Sequence, residues 1–148
     1  MPASRSPRDD RAHTAIAAVR EVYADLAARP VERNCIRRTE CCQFRHTGYT
    51  PWLTDAEAVM AVKAFRATGR SRLPEPTDGS CPMLDARSGR CLIYADRPFA
   101  CRKHFCAAAG GPYTRREVLD LIRRLEAISA ALGGDGPRPI ESALRAYI

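Results

Sequence analysis

The sequence predicts a small, mostly α-helical single domain whose helices flank an irregular, cysteine-rich centre. Apolar residues recur at helical spacing near both ends of the chain, and two Thr-x-x-Glu patterns mark helix starts. All seven cysteines lie between Cys35 and Cys106. A length of 148 residues fits one domain with its own core, so the cysteines are not needed as staples for folding. We expect at most a short pair of strands.

The N-terminal part of the chain predicts a tail followed by a helix. Residues 1–9 are polar and contain two prolines, which is typical of a disordered tail. The domain is therefore expected to cover residues 10–148. Its first helix is predicted over residues 10–29, and Pro30 ends it. The apolar stripe of this helix consists of Ile16, Val19, Val22, Tyr23 and Leu26.

A second helix is predicted to begin at Thr54. Thr54 and Glu57 have the spacing of a capping box, in which each side chain bonds the backbone of the other residue. Gly69 ends this helix, and the proline- and glycine-containing residues 71–80 form a loop. A short apolar run at residues 91–94 is compatible with a strand.

The C-terminal part, residues 114–148, predicts two further helices. Thr114 and Glu117 repeat the capping-box spacing at the start of the first, and the Gly133-Gly134 pair ends it. Residues 140–148 form the second, after two prolines. The resulting picture is a metal-binding centre at residues 35–106 between an N-terminal helix and these C-terminal helices.

The cysteine content points to metal chemistry. The chain shows no apolar stretch of the length of a signal peptide or a membrane span, so we expect a cytoplasmic protein with no membrane contact. Thiols stay reduced in the cytoplasm, and an odd number of cysteines cannot all pair within one chain. Clustered cysteines in that setting favour zinc or iron as the ligand.

The net charge of +7 raises the question of nucleic-acid binding. The basic residues are spread along the chain and do not interleave with aromatic residues. Between Cys35 and Cys106 their charge can simply balance metal-bound thiolates. Nucleic acid is therefore the less favoured partner, and the metal ion is the favoured one.

The cysteine spacing predicts a multi-ligand site without choosing the metal. The candidate ligands are Cys35, Cys41, Cys42, Cys81, Cys91, Cys101 and Cys106. The adjacent pair Cys41-Cys42 favours two metals or a bridging thiolate, since neighbouring side chains of an extended segment point apart. Seven thiolates fall one short of two four-ligand sites, and His104, a shared thiolate or water would close that gap. No Cys-x2-Cys pair of the zinc-ribbon or ferredoxin type is present.

Three sequence blocks resemble the YkgJ-type cysteine-cluster family. Its pattern opens with Cys-x2-Cys-x2-Cys-Cys, continues with Cys-Pro-aromatic-Leu, and ends with Cys-x-Ile-Tyr-x2-Arg-Pro-x2-Cys-Arg. Cys35, Cys41 and Cys42 match the first, third and fourth cysteines of the opening, and Arg38 stands at the second. Residues 81–84 match the middle block, with methionine in place of the aromatic residue.

The last block, residues 91–102, matches this family pattern closely. The resemblance implies chelation of zinc or iron by the matched cysteines, whereas Cys106 is our own addition to the ligand set. A similar module occurs in flagellin lysine methylases, which implies an accessory role in a modification reaction.

These observations lead to three hypotheses about function. The first is a non-catalytic metal-binding protein, because no catalytic serine motif, phosphate-binding loop or carboxylate pair is recognisable. The second is an accessory subunit that carries an iron–sulfur cluster and acts with a protein partner in a methylase-like or redox system. The third is a basic zinc protein that binds nucleic acid. Whether the chain is itself an enzyme stays open, with the balance against it.

Overall fold

The computed structural model describes residues 4–29, 50–104 and 112–148. Within these residues the chain is mostly helical with one two-stranded antiparallel sheet, which confirms the predicted fold class. The elements in chain order are α1 (Pro7–Ala27), β1 (Trp52–Leu53), α2 (Asp55–Ala67), a 3-10 turn (Tyr94–Asp96), α3 (Phe99–Lys103), a 3-10 turn (Arg116–Val118), α4 (Leu119–Ala131), β2 (Arg138–Pro139) and α5 (Ile140–Arg145). None of the described helices is long and apolar enough to cross a membrane.

Helix α1 begins at Pro7 and not at residue 10 as expected. Ser6 is its N-cap: the Asp9 N–H donates to the Ser6 hydroxyl (3.2 Å), and the Ser6 N–H donates to the Asp9 carboxylate (3.3 Å). Proline at the first helical position also favours this start, because an N–H at that position would have no hydrogen-bond partner within the helix. Residues 7–9, which the sequence assigned to the tail, are therefore helical.

The other predicted helix boundaries agree with the structure to within a few residues. Both capping boxes form, at Thr54–Glu57 before α2 and at Thr114–Glu117 before α4. Helix α4 is preceded by a 3-10 turn, so its regular part starts at Leu119. Helix α5 starts at Ile140 as expected but ends at Arg145.

The strand pair lies elsewhere than expected. Trp52 pairs with Pro139 and Leu53 with Arg138, joining the segments that precede α2 and α5. In the run predicted as a strand, Cys91 forms a single antiparallel bridge with Leu84, and the chain then turns into the 3-10 helix. Short β-pairs of this kind depend on long-range partners, which local sequence does not reveal.

Helix α2 lies at the centre of the fold because both of its faces are buried. One face packs on α1 and α4 in a cluster that includes Met60 and Phe99. The opposite face, with Val62 and Phe65, packs on β1, α5 and the residues around Cys81. Burial on two sides fixes α2 relative to every other described helix that it contacts.

The first turn of α2 is polar yet buried, and Asp55 links it to the C-terminal segment. The Asp55 carboxylate forms an ion pair with Arg138 and accepts hydrogen bonds from the Tyr147 hydroxyl (2.7 Å) and the Gly136 N–H (3.2 Å). Burial and the Asp55 carboxylate raise the pKa of Tyr147 to about 12, so this hydroxyl remains a donor. A side chain on Gly134 would clash with the Asp55 carboxylate, which explains glycine there.

The Asp55 network predicts a pH-dependent contribution to stability. Burial alone would raise the pKa of Asp55, but the hydrogen bonds from Tyr147 and Arg138 outweigh it and lower that pKa. The stabilisation is therefore complete above the unfolded-state pKa of about 3.9 and is lost as the pH falls through the lower folded-state pKa.

We expect Asp55→Asn to lower the free energy of unfolding by about 1–3 kcal/mol at pH 7, because the amide carries no charge for Arg138 and has one accepting oxygen in place of two. The difference from the native protein should shrink towards pH 3. Urea unfolding at both pH values measures it, with Glu141→Gln, which breaks an exposed ion pair with Arg145, as the control. An equal loss for both variants would contradict the assignment.

Candidate metal centre

A small hairpin brings together two cysteines that are ten residues apart in sequence. The Leu84 N–H donates to the Cys81 carbonyl (3.0 Å), closing a turn, and Leu84 bridges to Cys91. The Leu92 N–H donates to the Met83 carbonyl (2.8 Å) next to this bridge. One turn and one bridge separate the two cysteines, so their Cα atoms lie within roughly 12 Å of each other.

Local hydrogen bonds hold the connecting turn of the hairpin. The Asp85 carboxylate accepts from the Ser88 hydroxyl (2.7 Å) and the Arg87 N–H (3.3 Å), and these bonds lower the pKa of Asp85. The Asp85 N–H donates to the Arg90 carbonyl (2.9 Å) across the turn, and Gly89 takes the left-handed conformation (φ 67°) that favours glycine. The turn is thus defined by its own residues.

The three described cysteines differ in their surroundings. Cys81 is 5% exposed and packs among apolar side chains that include Met83 and Ile93. Cys91 is partly buried beside the same cluster. Cys101 is partly buried on α3. The described thiols therefore lie on two elements, the hairpin and α3.

Two arginines of the last sequence block hold the backbone that leads into α3. The Arg97 guanidinium donates to the Tyr94 carbonyl (3.1 Å) and lies over the Tyr94 ring, 4.1 Å from its centroid. The Arg102 guanidinium donates to the carbonyls of Arg97 and Ala95, both at 2.7 Å. Arginine suits this task because its rigid fork reaches two acceptors at once.

Arg102 also packs against α1. Its guanidinium lies 4.1 Å from the centroid of the Tyr23 ring, a cation–π contact. Burial lowers the pKa of Arg102, but from an ordinary value so high that the side chain stays charged. The Nε and one terminal nitrogen of Arg102 are therefore engaged with backbone carbonyls.

The buried carboxylate of Glu57 connects α1, α2 and the helix that carries Cys101. One oxygen accepts from the Thr54 N–H (3.3 Å) and hydroxyl (3.0 Å) in the capping box. The other accepts from the Tyr23 hydroxyl and from the N–H of Phe99, the first residue of α3, both at 2.6 Å. Glu57 is 3% exposed, so these bonds replace water around its charge.

Tyr23 is held as a donor by the same arrangement. Burial, together with the negative charge of Glu57, raises the pKa of Tyr23 well above its ordinary value. The protonated hydroxyl can therefore keep donating to Glu57 over the whole physiological pH range. The position of α3, and with it that of Cys101, depends on this buried contact.

The predicted seven-cysteine ligand set is only partly described. Within residues 4–29, 50–104 and 112–148, no group of three or more His, Cys, Asp or Glu side chains is placed to hold a metal ion. Four predicted ligands lie outside the described residues: Cys35, Cys41, Cys42 and Cys106. The ligand set stays a prediction.

His104 follows α3 directly and is partly buried. Burial, and then the charge of Lys103, lower the pKa of His104, which favours the neutral ring that a metal requires. The donor types in this part of the sequence are the thiols of the hairpin and of α3 and the imidazole of His104. Such a set suits zinc and iron, which bind thiolates and imidazole well.

The sequence revealed Glu57 as a helix cap and did not reveal its contacts with Tyr23 and Phe99. The capping pattern is local, whereas these partners are 34 and 42 residues away. The only signal was that Tyr23 lies in the apolar stripe of α1, where a buried hydroxyl needs a hydrogen-bond partner.

A family model matches residues 34–121 of the chain: CxxCxxCC, described as a putative zinc- or iron-chelating domain. The match covers more than half of the chain and includes all seven cysteines, the hairpin, α3 and the first residues of α4. No curated protein and no solved structure matches the chain significantly.

We expect Glu57→Gln to lower the free energy of unfolding by about 1–3 kcal/mol, because one amide cannot accept all four hydrogen bonds in a buried site. Glu117→Gln is the matched control, since Glu117 makes the same capping contacts with Thr114 on the surface. Chemical denaturation compares the two variants. A similar small loss in both would show that Glu57 acts only as a helix cap.

Proposed function

Since the chain belongs to the CxxCxxCC family, whose members are described as zinc- or iron-chelating, we propose that it binds zinc or iron through cysteine thiolates without itself catalysing a reaction. The observation that carries the proposal is the hairpin that joins Cys81 and Cys91 inside the matched region. It brings the backbones of the middle and last sequence blocks next to each other.

We assign the metal-ligand role to thiolates from all three sequence blocks. Cys81 and Cys91 contribute from the hairpin, and Cys101 contributes from α3. Cys35, Cys41, Cys42 and Cys106 complete the set, with His104 as a further candidate. Thiolate sulfur and imidazole nitrogen supply the tetrahedral coordination that zinc prefers and the sulfur ligation of iron–sulfur clusters.

A non-catalytic role agrees with the use of the buried polar groups around the centre. Glu57, Asp55 and Ser129 use their hydrogen bonds for contacts between different elements of the fold. Arg97 and Arg102 of the last sequence block donate hydrogen bonds to backbone carbonyls. These contacts keep the thiols in position in a reducing, cytoplasmic setting, where they remain available to a metal.

Anaerobic purification followed by elemental analysis tests this function. We expect zinc or iron at about one or two atoms per chain, as in thiolate sites of this size. A colourless protein with zinc supports the simple chelator. A brown protein with a charge-transfer band that disappears on reduction supports the alternative of an iron–sulfur accessory subunit. A folded protein without either metal would contradict both.

Replacing one described cysteine tests the assignment within the site. We expect Cys101→Ser to lower the metal content per chain and the midpoint of thermal unfolding, because a metal that binds only the folded state stabilises it. Ala100→Ser is the matched control, since it adds a hydroxyl to the same helix and leaves every thiol in place. Unchanged metal content in Cys101→Ser would remove Cys101 from the ligand set.

A further inference from the structure

Helices α1 and α2 leave a cleft at one end of their interface. They run antiparallel and meet where Tyr23, late in α1, bonds Glu57, early in α2. At the opposite end lies a cleft of about 480 Å³, whose lining also includes Tyr147. This space, the α1–α2 cleft, is of the size of small-molecule sites, roughly 300–1,000 Å³.

The inner surface of the α1–α2 cleft is apolar. Ile16 of α1 and Val62 of α2 belong to the two core clusters and also line the cleft, next to the partly buried Val59. These side chains are fixed by the core, so the surface that they offer is preformed. A preformed apolar wall favours the apolar body of a ligand because that body leaves water on binding.

The rim of the cleft is cationic on both sides. Arg5 lies just before α1, and Lys63 and Arg66 lie one turn apart on α2. Over the part of the chain that the structure describes, no ion pair joins any of these three side chains to an acidic residue.

Asp9 is the one acidic residue among the described lining residues, and it is already engaged. Its carboxylate accepts from the Ser6 N–H and hydroxyl at the start of α1. The cleft therefore keeps an excess of positive charge facing an apolar floor. This combination does not suit a metal cation, and it complements a molecule with a negative head and an apolar body.

We propose that the α1–α2 cleft binds a small organic anion whose carboxylate or phosphate meets Lys63 and Arg66 and whose apolar body covers Ile16, Val59 and Val62. A cleft of this volume accommodates one small molecule, whereas a stable protein partner covers about 800 Å² of surface. The cleft is lined by residues other than the cysteines. The proposal therefore stands independently of the proposed metal chelation.

Calorimetric titration of the full chain, as purified, tests the proposal with three probes. Octanoate carries both the head and the body, acetate only the head, and 1-octanol only the body. We expect octanoate to bind at least about tenfold more tightly than either of the others, because each half of the cleft contributes. Equal affinity for octanoate and acetate, or for octanoate and 1-octanol, would overturn it.

Variants identify where octanoate binds. The double substitution Lys63→Ala with Arg66→Ala should weaken octanoate binding by about tenfold, since charge-assisted hydrogen bonds are lost. Val59→Ser should weaken it as well, with thermal unfolding as the check on folding. Arg123→Ala, an exposed arginine of α4 outside the cleft, should leave it unchanged.

The same variants separate the proposal from its alternatives. Octanoate binding that the double substitution leaves intact would place the ligand elsewhere, for example on the metal, and would overturn the assignment. A Glu/Leu peptide that binds through Lys63 and Arg66 while octanoate does not would mean that the cleft serves an acidic protein segment, and would overturn it too.

Discussion

The buried carboxylate of Glu57 is the contact on which the arrangement of the other elements depends. It begins α2 by capping its first turn, receives the Tyr23 hydroxyl from α1, and receives the backbone N–H that starts α3. A buried carboxylate without such donors would strongly destabilise the fold. The three elements are therefore fixed together, because each of them supplies a donor that the charge requires.

Other polar groups in the first turn of α2 bind the C-terminal part of the chain in a similar way. The Asp55 carboxylate holds the segment around Arg138 and Tyr147, and the Ser129 hydroxyl of α4 accepts from the Ala56 N–H (3.0 Å). Apolar packing on both faces of α2 supplies the bulk of the burial. The hydrogen bonds of this polar turn fix the orientation of α2 relative to its neighbours, because hydrogen bonds tolerate less displacement than apolar contacts do.

Local sequence patterns were sufficient to predict helices α1, α2, α4 and α5, but not α3 or the contacts that position the thiols. The Thr-x-x-Glu boxes and the apolar stripes act within one or two turns of helix, so they are readable from the chain alone. Helix α3 was missed because five residues after Pro98 are too few to show a period. The hairpin was missed because only one bridge, between Leu84 and Cys91, defines it. The resemblance indicated the family, which periodicity cannot do, and the match over residues 34–121 confirmed that family.

X-ray absorption spectroscopy of the purified protein at the zinc and iron edges tests the central claim most directly. The claim is that cysteine thiolates on this scaffold hold the metal. We predict a shell dominated by sulfur, at about 2.3 Å when the metal is zinc. A shell made only of oxygen and nitrogen, at about 2.0–2.2 Å, would contradict thiolate chelation.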